Sequence, residues 1–245
     1  MPWLLDKAVP PGLVEEVGLF LFDFDGPMCS LFHEHDPAVV RTAVLAALDI
    51  DGSVPRRLRR RERNAHVLLR AMWQLGSDHV ETANKDLTDH ESVAAGSALP
   101  TPQARELIER LWNSGILMAI TSNNSAAAIR EYLDKNGLAD FFGDRIYARG
   151  DDLGLMKPNA HTLTTAVAML APTGTTVLLG DSPSDAEAAW RAGVGFIGCV
   201  HPSNRGFWRS PWRWRDVYRL RSAGADVVIR DLGVVITAFL RRVGV

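Results

Sequence analysis

Short apolar runs that end in polar side chains place the strongest constraint on the fold of this 245-residue chain. The first run, residues 18–26, carries Asp23 and Asp25 out to Gly26. Residues two apart in a strand point the same way, so Asp23, with Asp25 just beyond it, can face one small volume. Carboxylates buried among apolar residues need a cation beside them. The run therefore predicts a site for a hard divalent metal, a nucleophile and a proton donor, although a strand that ends in a polar loop is the simpler alternative.

Two later apolar runs end in the same way, and a lysine lies between them. Residues 116–124 end in Thr121, Ser122, Asn123 and Asn124, and residues 176–185 end in Asp181 and Asp185. Lys157 lies in a loop of a chain in which arginine greatly outnumbers lysine, and a solvated loop residue is its alternative interpretation. Functional groups of open α/β sheets collect at the carboxyl ends of the strands, so these side chains are predicted to meet there.

Helical and strand-like patterns alternate after residue 102. Apolar spacing predicts helices over residues 102–114, 125–136, 159–170, 185–192 and 232–241. Strands are predicted over residues 17–22, 145–148, 194–198 and 225–229 and in the runs that begin at residues 116 and 176. This alternation implies a parallel sheet with helices on both faces.

A block of helical patterns separates the first strand from this alternation. The spacing predicts helices over residues 37–48, 64–75 and, more weakly, 78–95, with no strand pattern among them. Residues 31–96 are therefore predicted to be an all-helical insert, followed by a hinge or linker at residues 96–102. The core would then be discontinuous and consist of residues 1–30 and 97–245.

Composition limits the partners and the compartment. A formal net charge of −2 argues against nucleic-acid binding by the whole molecule. Two cysteines provide no disulfide framework, which favours a reducing cytoplasm. The first residues lack the pattern of a signal peptide, and no apolar run approaches the ~20 residues of a membrane span. We expect a cytoplasmic protein without a membrane partner, either a monomer or a homodimer.

The four polar segments, in this order, resemble the motifs of the haloacid dehalogenase superfamily of aspartate-nucleophile phosphotransferases. Within it, the chain is most similar to the group of phosphoglycolate phosphatase and β-phosphoglucomutase. The resemblance extends over residues 16–235. It implies a three-layer α/β fold, with a Rossmann-like parallel-sheet core and an inserted helical cap domain over the strand ends.

The same resemblance implies catalytic and metal-binding roles. Asp23 would attack phosphorus and become an aspartyl-phosphate, while Asp25 would act first as the acid and then as the base. Mg²⁺ would be held by Asp23, by Asp181 and by the backbone carbonyl of Asp25. Asp185 is expected either as a further ligand or as a contact of the ligands.

The resemblance also implies which residues contact the phosphate. Ser122 and Lys157 would stabilise charge on the phosphoryl oxygens, with Gly26 and Asn123 as further contacts. Thr121 is the alternative to Ser122 as the hydroxyl of this motif. Many members of the family have threonine two residues after Asp25, where this chain has Pro27, which has no backbone N–H to donate.

The expected function is that of a Mg²⁺-dependent phosphatase acting on a small phosphorylated metabolite. Asp25 favours phosphoryl transfer, since family members that release halide typically lack this second aspartate. One alternative is a phosphomutase acting on a sugar phosphate. The other is a catalytically silent binding or scaffold protein.

Two arginine-rich segments and several lone histidines are not explained by this function. Residues 56–63 hold six arginines and are interpreted as a solvated helix face or a mobile loop, with attraction of an anionic substrate or of nucleic acid as alternatives. Residues 201–221 alternate tryptophan with arginine; they are expected to pack on the core, with a partner interface as the alternative. His66, like the other lone histidines at helical positions, is expected to be a surface or satisfied core residue.

Overall fold

The structure is a computed structural model that describes residues 5–200 and 212–242. The strands are β1 Val17–Phe22, β2 Cys29–Ser30, β3 Leu99–Pro100, β4 Leu117–Ser125, β5 Ile146–Arg149, β6 Thr175–Gly180, β7 Gly195–Cys199 and β8 Val227–Ile229. The helices are α1 Pro11–Val14, α2 Pro37–Leu48, α3 Arg56–Arg61, α4 Ala65–Gln74, α5 Val80–Ala95, α6 Ala104–Asn113, α7 Ala126–Lys135, α8 Ala139–Phe142, α9 His161–Leu170, α10 Pro183–Ala192, α11 Trp212–Ser222 and α12 Gly233–Arg242. A 3₁₀ helix covers Leu153–Leu155.

Six of the strands form one parallel sheet in the order β5-β4-β1-β6-β7-β8. Alternate residues of β1 point to opposite faces of this sheet. Phe20 and Phe22 belong to an apolar core with α6, α7 and α12, whereas Leu19 and Leu21 belong to a second core with α9, α10 and α11. Burial on both faces explains why β1 reads as a continuous apolar run. The predicted three-layer α/β fold is confirmed.

Helices α2–α5 lie between β2 and β3 along the chain and share an apolar cluster of their own. Val44, Leu48, Leu68, Met72 and Leu87 are buried in it. Leu153 and Met156, which come later in the chain, belong to the same cluster. The helical spacing of residues 37–95 thus folds as four helices, one more than the three predicted, because Arg56–Arg61 form the separate helix α3.

The predicted linker at residues 96–102 contains a strand that the sequence did not reveal. Strand β3 pairs antiparallel with β2, with Cys29 opposite Pro100 and Ser30 opposite Leu99. The backbone N–H of Thr101 also donates to the carbonyl of Met28 at 2.9 Å. The two ends of the helical block therefore lie side by side.

The structure describes the first arginine-rich segment, residues 56–63, in full and the second, residues 201–221, only in part. Helix α3 buries none of its residues, as expected for a solvated helix face. The prediction for residues 201–221 concerns mainly residues 201–211 and the side chains of 212–214, which lie outside the described residues. None of the described helices is long and apolar enough to span a membrane.

Candidate active site

The carboxyl ends of β1, β4 and β6 form one wall of a cavity of about 530 Å³. Strand β1 is hydrogen-bonded to β4 on one side and to β6 on the other, so their ends are adjacent. Asp23 follows β1, Ser122 lies near the end of β4, and Asp181 follows β6. All three line the cavity. The sheet therefore brings together side chains that are about 60 to 160 residues apart in the sequence.

Lys157 lies at the centre of these side chains. Its Nζ donates to Asp23 Oδ1 at 2.8 Å and to the carbonyl of Thr121 at 3.0 Å, and it also pairs with Asp185. Lys157 is only 3% exposed. Burial alone would lower its pKa, but the carboxylates of Asp185 and Asp23 raise the pKa above its ordinary value. The lysine is thus held protonated, and it is not the solvated loop residue of the alternative interpretation.

Three carboxylates lie together here, and two of them, Asp23 and Asp185, pair with Lys157. Together with Lys157 we call them the carboxylate cluster. Oxygen atoms of Asp23, Asp181 and Asp185 lie within 4.8 Å of one another. Burial, and then the charge of Asp185, raise the pKa of Asp23 to about 7 despite Lys157. Surrounding protein atoms, and then Asp23 and Asp185, raise the pKa of Asp181, although Asp181 is open to the cavity. A second cation would relieve this repulsion, and a set of oxygen donors suits a hard divalent ion.

Asp185 is held at the start of α10 by a capping box with Ser182. The Ser182 backbone N–H and hydroxyl donate to Asp185 Oδ2 at 3.0 and 2.6 Å, while Oδ1 faces Lys157. Gly180 makes room for this arrangement, since a Cβ there would lie 2.7 Å from Asp185 Cβ. The structure therefore gives Asp185 a contact with Lys157 as well as a position beside the predicted metal ligands.

Asp25 and Gly26 lie beside the carboxylate cluster in the turn after β1. Asp25 Oδ1 accepts the N–H of Leu31 at 2.9 Å. Burial raises the pKa of Asp25, and the Leu31 N–H and the charge of His66 oppose that rise. Gly26 has a φ of 114°, and a Cβ there would lie 2.6 Å from the Asp181 carboxylate.

Gly26 was also predicted to contact the phosphate, and the structure shows where its backbone donor is directed. Its N–H already donates to the carbonyl of Cys29 at 2.7 Å, which ties the turn to β2. Because this donor is engaged, the role that the structure gives Gly26 is to make room for Asp181.

The end of β4 distinguishes between the two candidate hydroxyls. Ser122 lines the cavity and its hydroxyl donates to Asn124 Oδ1 at 3.1 Å. Thr121 is fully buried, and its hydroxyl has no hydrogen-bond partner among the described residues. The geometry therefore favours Ser122 as the hydroxyl that can reach a ligand.

Asn123 braces the loop that carries the lysine. Its Nδ2 donates to the carbonyl of Lys157 at 3.0 Å, and its Oδ1 accepts the N–H of Lys157 at 2.8 Å. Both polar atoms of the Asn123 side chain therefore form hydrogen bonds with the backbone of Lys157. The structure gives Asn123 a positioning contact in addition to its place on the cavity wall.

Helix α4 forms the opposite wall of the cavity, which the sequence did not predict. Its cavity-lining residues, with the preceding N-cap, are Asn64, His66, Val67, Arg70, Ala71 and Gln74. Asn64 Oδ1 accepts the N–H groups of the first turn and so fixes where the helix begins. The polar members were not recognised because, in sequence, they resemble the solvated face of an amphipathic helix.

A second buried group of charges lies beside this wall, and we call Glu91, Arg149 and His66 the Glu91 cluster. Glu91 on α5 is fully buried. Arg149 at the end of β5 donates to both carboxylate oxygens, at 2.7 and 2.9 Å. His66 Nε2 lies 2.7 Å from Oε1. Burial disfavours the Glu91 carboxylate, but His66 and Arg149 outweigh it and lower its pKa to about 2.

Glu91 also reaches the sheet end that carries Ser122. The N–H of Ser125 donates to Oε2 at 2.9 Å, and Asn124 Nδ2 donates to Oε1 at 3.1 Å. Since Asn124 accepts from Ser122, hydrogen bonds connect the core wall of the cavity with His66 on the helical wall.

A family model decides the identity of this arrangement: the model for haloacid dehalogenase-like hydrolases matches residues 20–199. The chain belongs to this family. It is an enzyme of the phosphatase type within it, and the predicted enzyme class is confirmed. The matched region contains the candidate site residues named above.

Curated relatives and solved structures agree with this assignment. A phosphoglycolate phosphatase of Vibrio vulnificus is 28% identical over 204 residues, which cover 78% of this chain and 87% of that protein. One of Vibrio parahaemolyticus is 29% identical over 203 residues with the same coverage. A hydrolase from Pseudomonas syringae shares the fold with a TM-score of 0.65 at 19% identity, covering 91% of this chain and 97% of that one.

Proposed function

We propose that this enzyme is a Mg²⁺-dependent phosphatase that hydrolyses a small phosphorylated metabolite through an aspartyl-phosphate on Asp23. The observation that carries the proposal is the carboxylate cluster, in which one buried lysine faces three carboxylates at the edge of a cavity. Clustered carboxylates that outnumber their cation, two of them buried, favour a cationic ligand. Phosphatase relatives of comparable length support the reaction class.

The proposed Mg²⁺ ligands are the carboxylates of Asp23 and Asp181 and the backbone carbonyl of Asp25, with Asp185 beside them. This donor set consists of oxygen atoms, as Mg²⁺ prefers. When bound, the ion would neutralise charge on the phosphoryl oxygens and on the clustered carboxylates.

In the first proposed step, an oxygen of Asp23 attacks phosphorus and the bond from phosphorus to the leaving oxygen breaks. Lys157 fixes the attacking carboxylate through Oδ1 and stabilises the phosphoryl charge, together with the hydroxyl of Ser122. Asp25 gives its proton to the leaving oxygen. Burial raises the pKa of Asp25, which favours the protonated form that this step requires.

In the second proposed step, water attacks the phosphorus of the aspartyl-phosphate. Asp25, now a carboxylate, takes the proton from this water, and the bond between Asp23 and phosphorus breaks. Inorganic phosphate leaves, Asp23 is again a carboxylate and Asp25 is again protonated, so both residues are ready for the next cycle.

We assign residues 31–96 as a cap domain and residues 1–30 and 97–245 as the catalytic core. Helix α4 supports this division because it faces the carboxyl ends of the strands across the cavity. A cap in this position excludes water and contacts the leaving group. The paired ends at β2 and β3 are where such a cap would pivot.

The proposed partner is the substrate alone, and the proposed location is the cytoplasm. Cys29 and Cys199 are both buried free thiols, which supports a reducing compartment. Phosphoglycolate is the first compound to test, since the curated relatives carry its name.

The test is phosphate release from an aryl phosphate and a panel of phosphorylated metabolites, with Mg²⁺ and with chelator. The wild type should release phosphate only with the metal, and Asp23→Asn should lower the rate by about 10⁴-fold or more. Glu187→Gln, on an exposed ion pair, is the control. Release that survives Asp23→Asn would overturn the proposal. Transfer of phosphate between sugar positions without release would favour the phosphomutase, and a silent protein would do neither.

A further inference from the structure

The wall formed by α4 carries positive charge toward the cavity. His66, Arg70 and Gln74 are four residues apart and therefore lie on one face of the helix, and all three line the cavity. The cavity-lining residues of α4 include no acid, whereas the opposite wall carries Asp23, Asp181 and their neighbours. The two walls thus differ in charge, and a ligand between them meets carboxylates with Lys157 on one side and a guanidinium on the other.

Arg70 lines the cavity without a carboxylate partner. No ion pair joins its guanidinium to an acid in the described part of the chain. A guanidinium stays charged throughout the accessible pH range and presents its donors in a fixed fork. An anionic ligand in the cavity would therefore supply the counter-charge that Arg70 lacks.

His66 holds its place on this wall through the Glu91 cluster. Its Nε2 lies 2.7 Å from the Glu91 carboxylate, and Arg149 holds that carboxylate from the far side. The imidazole is thus fixed one helical turn before Arg70. His66 is therefore preorganised on this wall and loses little freedom on binding.

The cavity has room for more than the transferred phosphate. At about 530 Å³ it lies within the range of sites for small organic molecules. The phosphoryl group must lie at Asp23, against the wall that carries Ser122 and Lys157. The remainder of the substrate, its leaving group, then extends toward α4 and Arg70.

We infer that Arg70, with His66 beside it, binds a second anionic group on the leaving portion of the substrate. The substrate class is a phosphate monoester whose alcohol carries a carboxylate or a second phosphate within a few bonds of the ester oxygen. Arg70 is the residue that determines this specificity. The inference rests on the proposed function, because it takes the phosphoryl group to be bound at Asp23.

The test compares substrates that differ in this group alone. Steady-state rates are measured with 2-phosphoglycolate, ethylene glycol bisphosphate and 2-hydroxyethyl phosphate, whose leaving group carries no charge, for the wild type, Arg70→Gln and Arg70→Lys. Arg57→Gln removes the same charge from the exposed helix α3 and is the matched control. The wild type should prefer one of the two anionic compounds, and which one identifies the group as carboxylate or phosphate.

Arg70→Gln should lower kcat/KM for the preferred anionic compound about 50-fold more than for 2-hydroxyethyl phosphate, mainly through KM. Arg70→Lys should restore part of the difference, and Arg57→Gln should leave the preference as it is in the wild type. An equal loss for all three compounds would place Arg70 on the transferred phosphoryl group and overturn the inference. A wild type that hydrolyses all three equally would also overturn it, while leaving the phosphatase proposal intact.

A binding measurement separates this inference from failure of catalysis. Calorimetry with non-hydrolysable 3-phosphonopropionate and propylphosphonate compares a ligand that has the carboxylate with one that lacks it. Tighter binding of 3-phosphonopropionate, lost in Arg70→Gln, would support the anion site even if no compound is hydrolysed. Equal binding of the two phosphonates would overturn it.

Discussion

Two buried groups of charges lie on either side of the cavity, and they differ in how well their charges are matched. The carboxylate cluster has three carboxylates for one lysine, Lys157, and the pKa values of Asp23 and Asp181 are raised. In the Glu91 cluster, one carboxylate meets Arg149 and His66, and its pKa is lowered to about 2. A matched cluster joins parts of the fold, whereas a cluster with excess charge is incomplete until a ligand arrives.

Replacing the shared cation of the carboxylate cluster should have the largest effect. Lys157→Met should lower the rate of phosphate release about 10³-fold, because the charge on the phosphoryl oxygens loses its fixed partner. Lys85→Met, on an exposed helical pair with Asp89, should leave the rate within about twofold. Initial rates at saturating Mg²⁺ check this. Activity in Lys157→Met within tenfold of the wild type would show that the lysine is structural.

Breaking the Glu91 cluster should reduce the stability of the protein. Glu91→Gln should lower the free energy of unfolding by about 3 kcal/mol, because it leaves the buried guanidinium of Arg149 without a carboxylate. Glu187→Gln, on the exposed pair with Arg191, should cost at most about 0.5 kcal/mol. Urea unfolding of the three proteins at pH 7 checks both values. If the two variants were equally stable, the Glu91 cluster would not join the two walls.

The smallest effect concerns how stability depends on pH: Asp23 and Glu91 should contribute with opposite signs. The pKa of Asp23 is about 7 in the folded protein, above its ordinary value of 3.8, so the folded protein binds this proton more tightly and loses stability as the pH rises toward 7. Glu91 has a lowered pKa, so its contribution is present above about 4.5 and is lost as the pH falls toward 2.

Urea unfolding in chelator at pH 5 and pH 7.5 measures this difference. Relative to Asp23→Asn, the wild type should lose roughly 2 to 3 kcal/mol between these pH values, and Mg²⁺ should restore it. Relative to Glu91→Gln, the wild type should keep a constant advantage over the same range. If the free energies of unfolding of the wild type and Asp23→Asn changed equally between the two pH values, the assignment of excess charge to the carboxylate cluster would be contradicted.

The sequence was sufficient for the sheet and for the wall that carries the nucleophile. Burial on both faces makes each central strand an apolar run. Polar residues after β1 and β6, and in the last part of β4, mark where the apolar runs end. The strand order then brings these ends together because a parallel sheet places all carboxyl ends at one edge. The choice between Thr121 and Ser122 remained open, since adjacent strand residues face opposite ways and only the structure shows which faces the cavity.

The helical wall and its supports could not be predicted in this way. Glu91 and Arg149 are 58 positions apart, and each alone resembles a surface charge. Arg70 and His66 follow helical spacing that also fits a solvated face, so His66 was predicted to be a surface or satisfied core residue, although it is both paired and open to the cavity. Strand β3 was missed because two residues are too few to show a period.

The pairing of β2 with β3 has a consequence for how such an enzyme can diversify. Because the chain leaves the sheet core and returns to it at neighbouring positions, the segment between them can lengthen, shorten or be exchanged without moving any strand of the six-stranded sheet. The residues proposed for phosphoryl transfer all lie outside that segment, while Arg70 lies within it. A lineage can therefore acquire a new leaving-group preference by replacing one contiguous stretch of its gene, with the chemical machinery inherited unchanged.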